Sequence, residues 1–564
     1  MLMNKKNNQN IILEEYENEF SYKKNKSNLN IDFNRVAFIF FVFFAISIIY
    51  SVQLLHLGSL IKEKNTTKTL INKKNYRADI VDRNGNYLVK SVSSIDIGIS
   101  PADVIDKKRL LVNLKWIFPN KDYKEIEKKL NKNNFFKFEK KISPANYEKV
   151  MSLGDKAIRA KEKLTRLYPQ ENLFSHIIGQ IDDDNNGISG LEKFFDNELK
   201  KNRKVLQLTV DTDIQFLIRN ELIKFKEIFR AKGAAAILMN VNTGNIISMV
   251  SLPDFNLNER KTITDDNYIN KVTKGTYELG SVFKTFTIAS GINEGLIEPD
   301  TEFLDSKKTI SCGKNHQIGE YDDRMPPDLT VEQILIKSGN IGSVRIVRKV
   351  GVEKHKSFLK TIGILDKIDF DIEEVGKPIP IDWNEGCKLE TIAFGHGITT
   401  TILQLAKGYS IIANGGYDIK PTLIKKNLTK KNLRKKVLKN DVSKKMNSIL
   451  RKVVSEGTAK LVNVKGYQVG GKTGTAEQVA DSIYSNIKIN TLASIFPTDN
   501  PQYVLVVMLE STKIAKEYVY EYRDGSGFKL KGSPRNTAGW TSVEAAGKII
   551  DRIGPILATK YIEN

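Results

Sequence analysis

The chain has 564 residues, with 88 Lys plus Arg against 66 Asp plus Glu, a net charge of +22, and a length that predicts two to four folding units at about 100–200 residues each. A content of 40% hydrophobic and 27% charged residues excludes a wholly disordered protein. Two cysteines exclude a disulfide-stapled scaffold and a four-cysteine zinc site, and five histidines, none spaced HxxxH or HxH, argue against a histidine metal centre.

The basic excess is spread evenly in KK, KN and NN pairs, which reads as solvated surface and not as a nucleic-acid patch. The first strong element is the run Val36–Leu57, almost wholly apolar and without a charge through Ile61. It is long enough to cross a bilayer as a helix. Residues 1–35 are polar and precede it, so an uncleaved anchor is expected in place of a signal peptide. Lysines flank both ends, so charge alone barely orients the span. Everything from about residue 58 onward is expected on one side of the membrane.

Beyond the span, Ile80-Val81 and Tyr87–Val89 flank an Asn84-Gly85 pair, predicting a hairpin with a two-residue turn. Residues 101–165 are charged and helix-prone, with apolar positions too widely spaced for a dense core. Strands are predicted at Val205–Val210, Ala234–Val241, Ile246–Val250, Tyr467–Thr475, Ile489–Ile495 and Tyr503–Leu509. Helical periodicity fills about 280–460. Strands at both ends of a helical middle predict an α/β (α+β) sandwich, an antiparallel sheet flanked by helices.

Three short elements carry chemistry. Ser281-Val282-Phe283-Lys284 is an S-x-x-K, a pattern that also occurs at Ser21, Ser59, Ser357, Ser485 and Ser526. Its context separates it, because Gly280 and Ser281 open a long apolar segment that reads as a helix N-terminus. The serine there faces partly positive amides, with the lysine amine nearby to take its proton. Ser338-Gly339-Asn340 is the one S-x-N, and Lys472-Thr473-Gly474-Thr475 the one K-T-G, on a strand whose glycines admit close backbone approach. The ordered set S-x-x-K, S-x-N, K-T-G marks serine acyltransferases that react with penicillin.

With its flanks, the chain resembles class B penicillin-binding proteins, peptidoglycan D,D-transpeptidases, over nearly its whole length. Arg77–Gly85, Arg166–Pro169, His176–Gly179 and Gly187–Glu192 resemble the family's pedestal motifs. Thr243-Gly244 with Ser251–Pro253, Phe394–Gly397 and Ala413–Gly416 resemble its catalytic-domain segments. RADIVDRNG and YELGSVFKTFTIA are similar to septal members from alphaproteobacteria. Ala78, Leu279 and Gly339 depart from the usual glycine, proline and serine.

The resemblance implies a penicillin-binding transpeptidase fold divided into a cytoplasmic tail (1–35), an anchor (36–57), a pedestal of the dimerisation-domain type (58–205) and a transpeptidase domain (206–564). It implies Ser281 as nucleophile, Lys284 as base, Ser338 as proton relay, Asn340 as orienting amide and Lys472 as the source of positive potential. Thr473, Gly474 and Thr475 bind the substrate carboxylate, and the backbone amides of Ser281 and Thr475 form the oxyanion hole. Donor stems ending in D-Ala-D-Ala, an amine acceptor and inhibitory β-lactams follow, with no metal or organic cofactor. So do an inner-membrane, single-pass location with a periplasmic catalytic domain, and division-site partners that include a membrane-embedded glycan polymerase. An elongation-specific transpeptidase and a catalytically silent divisome scaffold are the alternatives. His396 between two glycines is expected to line the site as a turn, not to serve as a second base. Cys312 and Cys387 are expected to be free thiols.

Overall fold

Why the chain breaks into its elements is visible at their ends, in a computed structural model that describes residues 37–57, 76–201, 204–259, 264–313, 316–425, 435–480 and 483–560. The tail, Val36 and the stretch 58–75 lie outside the described residues. Helix α1, Ala37–Leu57, is apolar on every side, and none of its most apolar window is buried in the protein. At 21 residues it extends about 31 Å, the thickness of a bilayer core.

Residues from Arg77 onward form a second unit. Strands β1 (Ile80–Val81) and β2 (Tyr87–Ile99) pair antiparallel, as the sequence predicts. Their turn is longer than expected. The Asp82 N–H bonds the Asn86 carbonyl at 2.9 Å, so the loop is Arg83–Gly85, with Gly85 at φ 91°. The Asp82 carboxylate accepts from the Asn84 and Asn86 amides and competes with a tight two-residue turn.

Beyond β2 the chain forms α2 (Lys107–Ile117), α3 (Tyr123–Leu130), β3 (Phe136–Ile142), α4 (Pro144–Met151) and β4 (Ile158–Leu167). Strands β3 and β4 both pair with β2. Contrary to the sparse apolar spacing, this stretch has its own core. Ile97, Ile99, Leu110, Leu114, Ile126, Leu130, Phe138, Ile142, Val150 and Ile158 pack together. Each element contributes only one or two of them, which is why no single window announces a core.

Three segments then converge on one buried carboxylate. Glu192 is fully buried, and its oxygens accept from Arg77 Nε at 2.5 Å and Arg166 Nε at 2.9 Å. Arg166 also donates to the Arg77 and Ala78 carbonyls. The short strand β5, Leu206–Gln207, lies parallel to β1. The predicted strand 205–210 pairs with β1 over Leu206–Gln207, after which Leu208 bridges Ile424 and the Thr209 N–H bonds the Leu423 carbonyl. Asp211 then caps α5 (Thr212–Ile228), accepting from the Asp213 and Ile214 amides.

The main sheet has order β10-β11-β12-β6-β7, antiparallel throughout. Its strands are β6 (Gly233–Asn240), β7 (Ile246–Leu252), β10 (Gly470–Ala480), β11 (Ile483–Phe496) and β12 (Tyr503–Glu510). Between β7 and β10 run α6 (Lys284–Asn293), the hairpin β8 (Thr309–Cys312) and β9 (His316–Gly319), α7 (Val331–Lys337), α8 (Asn340–Val350) and α9 (Val352–Thr361). They are followed by α10 (Lys388–Ile392), α11 (Ile402–Ala413) and α12 (Asn440–Ser455), and α13 (Ser542–Lys560) closes the chain. Helices α5 and α13 pack together on the sheet, as do α11 and α12. Nearly every residue of β6, β7 and β12 is buried, as expected of strands covered on both faces. The main core runs without a break from Ala78, Ile80 and Leu191 through Leu208 into the sheet.

The cysteines depart from expectation. Cys312 and Cys387 form a disulfide with Cα atoms 5.3 Å apart, within the usual range. The β8–β9 hairpin folds over the segment leading into α10, and both sulfurs share a small core with Ile318, Val344 and Phe394. A separation of 75 residues hides this proximity from the sequence.

Candidate active site

Ser281 lies in the 3-10 turn Gly280–Phe283, and the turn continues directly into α6, whose first residue is Lys284. The turn is held from beneath by Tyr409 of α11, whose hydroxyl donates to the Val282 carbonyl at 2.9 Å and shares a hydrogen bond with Thr285. Backbones crowd it from two sides. A Cβ on Gly474 would lie 2.1 Å from the Leu279 carbonyl, and one on Gly395 2.1 Å from the Gly280 carbonyl. These glycines let the K-T-G strand and the Phe394–Gly397 turn close on the serine. The Gly397 N–H donates to Glu278, fixing the same turn from the other end.

Lys284 is fully buried and donates to the Ser338 carbonyl at 2.5 Å, the Asn340 Oδ1 at 2.7 Å and the Ser338 hydroxyl at 3.2 Å. Ser338 sits at φ 62°, ψ 42°, the left-handed conformation that ends α7. For a serine that is a strained position, and it turns both its carbonyl and its hydroxyl onto the lysine. Gly339 has ordinary space for a Cβ, the nearest atom being 3.6 Å away, so a serine would fit there.

Lys472, on β10 and also fully buried, donates to the Ser338 hydroxyl at 3.0 Å and the Thr473 carbonyl at 3.0 Å. Two amines thus bracket one hydroxyl. Burial pushes Lys284 down to about 7, opposed by the negative charge of Glu320. Burial and then the neighbouring Lys284 charge hold Lys472 well below the ordinary lysine range. The pair therefore carries less positive charge at neutral pH than two exposed lysines would.

The Thr473 hydroxyl is 2.7 Å from that of Thr458. The Thr475 hydroxyl donates to Asn490 Oδ1 at 3.0 Å and accepts the Ala538 N–H at 2.9 Å. Ser281, Ser338, Asn340, Thr473, Thr475 and His396 line one cleft of about 850 Å³. His396 is pushed down to about 4 by burial and by Lys284. The structure thus brings the three motifs together, while Ser357 and Ser526 are exposed and lie outside this cleft. Sequence reading missed Tyr409, Thr458, Asn490 and Glu320, none of which carries a local signature.

Residues 234–526 match the penicillin binding protein transpeptidase domain, and residues 72–224 the penicillin-binding protein dimerisation domain. The chain belongs to the penicillin-binding protein transpeptidase family. Within that family it is 29% identical, over 86% of its length and 82% of the relative's, to a probable peptidoglycan D,D-transpeptidase FtsI of Caulobacter vibrioides. It is 28% identical to the stage V sporulation protein D of Bacillus subtilis, over 78% of this chain and 74% of that protein. Its fold is similar to that of penicillin binding protein 3 from Mycobacterium tuberculosis complexed with aztreonam, with a TM-score of 0.64 at 23% identity, covering 85% of this chain and 97% of that one.

Proposed function

We propose that this member of the family is a penicillin-sensitive peptidoglycan D,D-transpeptidase that cross-links stem peptides through an acyl-enzyme on Ser281 during septal wall synthesis. The observation that carries the reading is the convergence of Lys284, Ser338, Asn340 and Lys472 beneath the cleft that Ser281 lines. The Ser281 oxygen attacks the penultimate D-alanine carbonyl, and neutral Lys284 takes the serine proton. The N–H groups of Ser281 and Thr475 receive the oxyanion. Ser338 passes a proton to the departing D-alanine amine, with Asn340 holding Lys284 in place. An amine from a neighbouring stem then attacks the ester carbonyl and releases Ser281, forming the cross-link.

Lys472 and Thr473 receive the substrate carboxylate, and Gly474 lets β10 approach the nucleophile turn. Because its hydroxyl already donates and accepts, Thr475 acts chiefly through its backbone N–H. β-Lactams take the donor's place and acylate Ser281. Residues 206–564 form the transpeptidase domain in this reading, and residues 58–205 the pedestal. Residues 1–35 are the cytoplasmic tail, and the catalytic part is periplasmic. The Cys312–Cys387 bond supports that placement, since disulfides persist in oxidising compartments. A membrane-embedded glycan polymerase and other division proteins are the proposed partners.

A fluorescent penicillin tests the chemistry. The full chain labels covalently and Ser281→Ala does not, while remaining folded in the membrane. Label that persists on the variant, or maps to Ser357 or Ser526, sinks the assignment. Depletion tests the septal role: elongated cells blocked in constriction are expected, and swollen cells that still divide would favour lateral wall synthesis.

A further inference from the structure

We infer that Glu320 is a positioning residue for the acylation step: its carboxylate anchors the start of α8, thereby aims the Asn340 amide at Lys284, and is the negative charge that faces that amine. The inference rests on the reading of Lys284 as base. Glu320 follows β9 directly, and its two oxygens accept the Asn340 N–H at 2.7 Å and the Ile341 N–H at 2.8 Å. These are amides that a helix leaves unpaired at its first turn. The neighbouring Gly319 carbonyl accepts from Asn340 Nδ2 at 2.9 Å. With its NH₂ fixed, Asn340 must present Oδ1 to the lysine, as it does at 2.7 Å. Two consecutive residues at the end of one hairpin therefore set both the position and the flip of the amide that holds the base. The hairpin is itself tied down through Cys312 to Cys387.

The charge matters as well as the bonds. Other groups around Lys284 are Lys472 of β10 and His396 of the glycine turn, both displaced toward neutrality by burial and by Lys284. On α9, His355 is held down to about 4 by burial. Glu332 of α7 is occupied by Lys452 of α12 at 2.6 Å. Among the described residues, Glu320 is the carboxylate whose charge acts on the Lys284 ammonium, and it opposes the effect of burial. Removing that charge favours the neutral amine further, so it persists to lower pH.

The test is the pH dependence of penicillin acylation by the full-length protein in detergent, for wild type, Glu320→Gln and Glu320→Asp, with folding checked by thermal melting. Glu320→Gln should move the acid limb of the rate profile to lower pH by about half a unit or more. It should also lower the plateau about tenfold or more, as Asn340 loses its fixed orientation. Glu320→Asp should keep the wild-type limb. A lowered plateau with an unmoved limb in both variants would overturn the inference, leaving only a structural cap, and so would two unchanged profiles. A wild-type profile with no limb near neutrality would instead remove Lys284 as the base, and this inference with it.

Discussion

Ser338 accepts from two amines at once, and the chemistry depends on which of them keeps its proton. Lys284 can act as a base only when neutral, and its depressed value near 7 lies far below that of an exposed lysine. Acylation by penicillin is therefore expected to rise about tenfold per unit from pH 5.5 toward 7 and then level off. Stopped-flow traces showing a flat rate across that range would exclude Lys284 as the titrating base. In the proposed mechanism, removing Lys472 deletes both a donor to the Ser338 hydroxyl and the partner of the substrate carboxylate. Lys472→Ala should slow acylation by about 10²–10³-fold, comparable to losing an electrostatic stabiliser. Thr475→Val costs only its hydrogen bonds to Asn490 and the Ala538 amide, so a loss of about tenfold is expected. Equal and negligible effects would show that the K-T-G has no role in acylation.

At the scale of elements, what could be read from the sequence divides by distance along the chain. The three motifs were legible because each is a tetrapeptide or shorter whose parts act within one turn or strand. The sheet strands at 234–241, 246–250 and 503–509 were legible from unbroken apolar runs, and they occur at Gly233–Asn240, Ile246–Leu252 and Tyr503–Glu510. The hairpin after Val81 was misjudged because a side chain, Asp82, decides the turn in preference to the Asn-Gly pair. The same device recurs at Asp182, which accepts from the Asp184 and Asn186 amides. Glu320 and the cysteine pair were illegible, since their partners lie on other elements.

The buried Arg77–Glu192–Arg166 cluster joins three family-like segments, and each charge depends on the others. Glu192→Ala leaves Arg166 buried without a carboxylate and Arg77 with Asp196 alone, at 2.7 Å, and should cost about 3–5 kcal/mol. Chemical denaturation would measure the loss, and a stability within 1 kcal/mol of wild type (about the effect of an ordinary surface change) would contradict it. Gly395→Ala meets a different obstacle, a carbonyl 2.1 Å from its new Cβ together with a backbone φ of +85°. Penicillin labelling should fall sharply while the distal core stays folded.

For the whole molecule, the apolar helix Ala37–Leu57 is separate from the unit that carries the site. Deleting residues 1–57 should give a soluble protein that still labels with penicillin but does not support growth. Failure to label would mean that the catalytic unit depends on the anchor for its fold. The disulfide closes a loop that contains the whole S-x-N element, and in the chain-entropy view such a closure contributes about 2–4 kcal/mol. Reduction should loosen the hairpin that bears Glu320 and slow acylation without unfolding the main sheet, which hydrogen exchange would resolve.

Strand β2 reaches from one hydrophobic core to the other. Its 13 residues span roughly 43 Å, with Leu88 and Val89 at one end rooted in the main core and Ile97 and Ile99 at the other in the distal core. Strand β4 pairs with it from Lys90 to Ile99, making a ribbon that is two-stranded as far as Ser94, and β3 joins its other edge from Ile95. Between the two roots, Ser91 to Asp96 lie half-buried or exposed and belong to neither core's fully buried set. The ribbon is thus a lever arm. A sideways force on the distal core becomes a bending moment carried along covalent backbone, and it is delivered beside Arg166 and Arg77, where the arm is clamped into the body that holds Ser281.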